Sequence, residues 1–104
     1  MTSNLSLTKE QSVKYSTEEQ RNIIIDEIKK AQGNLQTNIK DDIIANNCLN
    51  HVIKEISNRT VNVRFDYVLD FGLDYVLGSD MTVEQKNRVV KELAIISCKL
   101  MRYW

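Results

Sequence analysis

The chain has 104 residues, no net charge from 14 basic and 14 acidic side chains, and 42% hydrophobic residues. That suits one packed domain, not two, and excludes an intrinsically disordered chain. The charge balance argues against a general polyanion binder, which would carry a basic excess, but leaves room for a local basic patch.

So short a chain buries only a modest core, and association with a second copy would bury more. Cys48 and Cys98 stand far apart in apolar neighbourhoods and form no disulfide framework. The first residues show no basic stretch leading into an apolar one, and no run approaches the roughly 18 apolar residues of a membrane span. A cytoplasmic protein with no membrane partner is therefore expected. The absence of proline suits continuous helices. The richness in asparagine and isoleucine is the bias of AT-rich genomes, which points to a bacterial or phage source.

In chain order, residues 1–15 are mixed and polar and read as an arm or a short helix ahead of a single helical domain over 16–104. The first helix is expected at about 17–32. Ser16 and Glu19 match a capping box, Ile24, Ile25, Ile28 and Ala31 share a face, and Gly33 offers a left-handed stop. The second is expected from near Thr37 to near Ser57, with Ala45, Leu49, Val52, Ile53 and Ile56 as its stripe. Ile39, Ile43, Ile44 and Cys48 broaden that stripe enough to touch neighbours on more than one side.

Residues 61–77 carry two patterns. Val61, Val63, Phe65, Tyr67, Leu69, Phe71, Leu73, Tyr75 and Leu77 alternate with mostly polar residues, as a strand would. As a helix, Val61, Phe65, Val68, Leu69, Gly72, Tyr75 and Val76 share a face. A strand of such length is unusual in a small domain, and no strong turn dipeptide divides it into a hairpin. Helix is the expectation. Asp66-Tyr-Val-Leu recurs at Asp74, too little for a repeat protein.

Gly78-Ser79-Asp80 marks a turn, and Thr82 with Gln85 opens a last helix over about 82–102. Its apolar stripe is Val89, Val90, Leu93, Ile96, Leu100, Met101 and Trp104. The expected architecture is all-α, a compact bundle of about four helices. The alternative is α+β, with 61–77 as a hairpin covered by three helices. Leu49, Ile53, Leu93, Ile96 and Leu100 should be buried, and alanine at any of them should cost about 2–5 kcal/mol. A C-terminal tryptophan frays unless something packs on it, which favours a homodimer with contacts from the last helix.

The sequence has no phosphate-binding glycine loop, G-x-S-x-G elbow or H-E-x-x-H motif. His51, the one histidine, has Cys48 three residues before it and Glu55 four after, on roughly one helix side. A structural zinc needs four well-placed ligands, and a cysteine among apolar residues is a poor nucleophile. The expectation is therefore no enzyme, no metal and no cofactor.

The charges are unevenly placed. From Asp66 to Glu84 there are five acids and no base, and from Lys86 to Arg102 five bases and one acid. The two segments can pair within one molecule, pair between copies, or face different partners. Asp66, Asp70 and Asp74, flanked by Tyr67 and Tyr75, are the candidate protein-interaction residues, because aromatic side chains beside charges are common at interfaces. Arg88, Lys91, Lys99 and Arg102, around Ile95, are the candidates for nucleic-acid phosphates. The spacing of Glu84, Arg88 and Glu92 equally describes an ordinary charged helix surface. The favoured reading is a small non-catalytic regulator or inhibitor that binds another protein or its own copy. The alternative is a nucleic-acid-binding regulator using the last helix.

Overall fold

The computed structural model describes residues 15–60 and 63–104. They form an all-α bundle of four helices: α1 Thr17–Gly33, α2 Lys40–Ser57, α3 Tyr67–Leu77 and α4 Val83–Leu100. A 3-10 turn, Met101–Tyr103, follows α4. No strand occurs among the described residues, so the hairpin alternative is overturned. The arm expected over residues 1–15 lies outside the described residues except for Tyr15, as does Val61, expected on the face of the third helix.

Two starts follow their sequence signals. Ser16 Oγ accepts from the Glu19 amide at 3.1 Å, and the Glu19 carboxylate accepts from the Ser16 amide at 3.1 Å. Thr82 and Gln85 make the same reciprocal pair at 3.2 and 3.0 Å. Each pair satisfies two amides that the helix itself leaves unbonded.

The second helix begins three residues later than expected, at Lys40, and Ile39 gives it no side-chain cap. The Asp42 carboxylate instead accepts from the Gln36 amide at 2.9 Å, folding the connection back on the helix start. Nor does Gly33 make a left-handed stop. It is the last residue of α1, and Asn34 follows with φ −92° and donates to Ala31 O. The third helix starts only at Tyr67, while Val63, in the segment before it, is buried on its own account.

The helices alternate in direction. Arg21 near the start of α1 donates to Arg59 O, just past the end of α2, at 2.7 Å. Arg59 in turn meets Tyr67 at the start of α3, and Lys40, Tyr75 and Thr82 line one hollow at the opposite end. Central α2 and α4 each pack on all three other helices, and α1 and α3 flank them. The core comes from all four helices, and includes Ile24, Ile28, Leu49, Val52, Ile56, Val68, Val89, Leu93, Ile96 and Leu100. Four of the five residues expected at its centre are fully buried. Ile53 is only half-buried, because it sits at the edge of the α2 stripe rather than on its midline.

Two further details of the last helix differ from expectation. The change to a 3-10 turn leaves Met101 exposed and sends Trp104 onto Phe65, with ring centroids 6.0 Å apart. The tryptophan is thus held within its own chain and supplies no argument for a dimer.

At Gly72, midway along α3, an added β-carbon would overlap the methyl groups of Leu93. Val68, Gly72 and Val76 form the buried ridge of α3, and their small size lets the helix sink against α4. Gly72→Val should therefore destabilise strongly. Even Gly72→Ala should fail to gain the roughly 1 kcal/mol that alanine normally adds to a helix, because overpacking costs about 1–3 kcal/mol. Gly33→Ala meets nothing within 4 Å and should stabilise by about 0.4–1 kcal/mol. Urea unfolding followed by helical circular dichroism checks this order; a Gly72→Val protein as stable as wild type would contradict the packing.

Candidate functional site

The groups with conceivable chemistry do not converge. Cys48 is fully buried in α2, and its thiol donates to Gly72 O at 3.6 Å. Burial pushes its pKa up, from 9.0 to about 11, because the thiolate would lose its water. His51 lies at the surface of the same helix, with Nε2 4.0 Å from Glu55 and its ring 5.2 Å from that of Tyr75. Cys98 is exposed on α4. Among the described residues, no group of three or more His, Cys, Asp or Glu could hold a metal ion, and no helix is long and apolar enough to cross a membrane.

The five acidic-face candidates sit on and just before α3 but differ in their engagement. Asp66 immediately precedes the helix and is gripped by Arg64 through two hydrogen bonds of 3.1 and 3.2 Å. Tyr67 lies under the Arg59 guanidinium, 4.5 Å from its ring centroid. Phe71 extends the same shelf, and Tyr75 stacks at a tilt on His51. Asp70 and Asp74 are exposed and, among the described residues, have no ion pair. Leu77 beyond them is 79% exposed. These three form the outer line of α3, directly opposite the Val68–Gly72–Val76 ridge.

The α4 candidates divide in the same way. Arg88 reaches Asp42 of α2 at 3.2 Å and Glu92 at 3.4 Å. Arg102 approaches Glu27 of α1 at 3.9 Å. Lys91 and Lys99 are exposed and, among the described residues, have no ion pair; between them lies Ile95, 42% exposed. The acidic and basic segments therefore do not neutralise each other within the molecule. The acids that meet α4 come instead from α1, from α2 and from Glu92 on α4 itself.

Sequence reasoning missed Glu27, the one buried charged residue among those described. It lies between Ile24 and Ile28 on the inner face of α1, with Lys30 at 3.5 Å as its second cation. The signal was its position inside the apolar i, i+3, i+4 stripe. Lys30 also binds Asp26, and that hydrogen bond is the main reason its ammonium pKa is raised. Asp42 bridges the first connection and α4, a role that rests on contacts between elements rather than on spacing along the chain.

Comparison with protein-family models, with curated proteins and with solved structures finds no match for this chain.

The two thiols provide a chemical check on the geometry. At pH 8 a thiol reagent should label Cys98 in the folded protein and reach Cys48 only after unfolding. The buried thiol also keeps its proton where the unfolded chain would lose it, so it contributes a loss of stability as pH rises from 9.0 toward about 11. Equal labelling rates for both cysteines in native protein would place Cys48 wrongly.

Proposed function

We propose that this protein is a small non-catalytic regulator or inhibitor that works by docking the outer face of α3 on another protein. One observation carries the reading. The only charged side chains of α3 are Asp70 and Asp74, and almost everything else on it is apolar. A helix apolar nearly all round belongs in an interior. Yet α3 is a flanking helix, covered by α2 and α4 on one side, and it leaves Leu77 in water. Exposed apolar surface edged by charge and aromatic rings is the composition of a protein interface. Tyr67 and Tyr75 are braced by Arg59 and His51, so their rings need little further ordering on contact.

The nucleic-acid reading draws less support. Two of its four cations, Arg88 and Arg102, already face carboxylates, which leaves Lys91 and Lys99 for phosphates. A stripe so interleaved with acids lacks the footprint that counterion release requires.

The test compares the proteins, other than copies of this chain, that immobilised protein captures from cells of the source organism. Asp70→Lys/Asp74→Lys and Leu77→Ser should each lose the captured protein, and Lys91→Ala/Lys99→Ala should keep it. All three should melt within about 0.5 kcal/mol of wild type, because the changes lie on the surface. Loss with the lysine variant alone, or salt-sensitive retention on DNA or RNA, would overturn the reading in favour of α4.

A further inference from the structure

We infer that the outer face of α3 pairs with the lysine stripe of α4 on a second copy of this chain, joining copies head to tail. The inference rests on the reading of α3 as a docking surface and names a partner for it. Each surface holds what the other lacks. On α3, Asp70 and Asp74 are exposed acids with no ion pair among the described residues, and Leu77 stands 79% exposed beside them. On α4, Lys91 and Lys99 are exposed bases in the same condition, with Ile95 42% exposed between them. The two acids lie one helical turn apart, about 6 Å, and the two lysines about 12 Å apart along their helix, at about 1.5 Å per residue. Long lysine stems converge on such a carboxylate pair from both sides while their methylenes and Ile95 cover the apolar line of α3. The chain carries no net charge, so copies approach without general repulsion.

The two faces do not point the same way. The α4 stripe lies on the side of the last helix where Arg88 reaches Asp42 of α2 and where Arg102, just beyond the helix, approaches Glu27 of α1, while α3 contacts α4 through Leu93 on the helix's inner side. A surface that binds a different surface of its copy makes a heterologous contact, which grows into a chain or a ring rather than stopping at a two-fold dimer.

Sedimentation velocity over a range of concentrations at low ionic strength tests this. The wild-type mass should rise above the 12.1 kDa monomer as concentration increases. It should fall back in about 1 M salt, where the Debye length is about 3 Å. Asp70→Lys/Asp74→Lys alone, and Lys91→Glu/Lys99→Glu alone, should each weaken association about tenfold or more, from two lost charge pairs. Mixing those two variants should restore it, since the intact acids of one meet the intact lysines of the other. Adding Ile95→Ser to both, which changes no charge, should weaken the restored pairing.

A wild-type chain that stays monomeric at every concentration and salt overturns the inference. So does a mixture that fails to associate, or one indifferent to Ile95→Ser, which would be bulk attraction between oppositely charged molecules. If the wild type is monomeric while the α3 variants still lose a captured protein, the self-pairing fails and the docking reading stands. If capture is unaffected by α3 as well, both fail.

Discussion

The close approach at Gly72 is the contact on which the arrangement of this bundle rests. There α3 meets both central helices at once, with its carbonyl receiving the Cys48 thiol from α2 and its missing side chain leaving room for Leu93 of α4. Because the ridge is valine, glycine, valine, the axis of α3 can lie near its neighbours, and short-range dispersion contacts accumulate there. An eleven-residue helix is marginal on its own, so it owes its existence to this packing. The same depth fixes what α3 turns outward. With the ridge locked inward, Asp70, Asp74 and Leu77 have no choice but solvent, and the aromatic side chains fall along the seam with α2.

The charges of the molecule perform two kinds of task. Glu27, Asp42, Glu92, Arg88 and Arg102 tie α4 to itself, to α1 and to α2, and some of these groups are largely out of water. A buried carboxylate such as Glu27 is tolerable only with cations at hand, and Lys30 and Arg102 provide them. Arg59 and Arg64 act locally, one capping an aromatic shelf and the other holding Asp66. Among the candidate residues of the two segments, those left after these internal commitments are sorted by sign: Asp70 and Asp74 on α3, and Lys91 and Lys99 on α4. A linear count of charges along the chain overstated both surfaces, since it could not see which members were already occupied.

The fold was legible largely because capping and periodicity agreed. Ser16 with Glu19 and Thr82 with Gln85 located two starts correctly, since a reciprocal cap depends only on residues three apart. The start of α2 was not legible, because its organising bond runs from the Gln36 amide to the Asp42 carboxylate six residues on, beyond the three-residue span of a capping box. The alternation over 61–77 misled for a definite reason. From Asp66 to Leu77 the chain reads as three tetrads, Asp-Tyr-Val-Leu, Asp-Phe-Gly-Leu and Asp-Tyr-Val-Leu. A period of four contains a period of two, so a helical pattern counterfeits a strand. At 3.6 residues per turn those tetrads become four neighbouring stripes, acidic, aromatic, small and leucine, and the small one is buried. On the candidate surface, the line of acids was visible in the sequence. The exposure of Leu77, and the pairing of Tyr67 with Arg59 and of Tyr75 with His51, depend on contacts between helices and were not.

Tyr15 ahead of α1 rests edge-on against Tyr103 beyond α4, with ring centroids 6.1 Å apart, and Trp104 lines the same hollow as Thr17. The first and last helices therefore leave the bundle side by side. Residues 15–104, taken as a unit, have their two ends together and can be spliced into a surface loop of a host protein without stretching either. The unit can also be circularised by a short linker and reopened at the exposed connection between Leu77 and Val83. Each neighbouring helix pair would then keep its packing while the order along the chain changed.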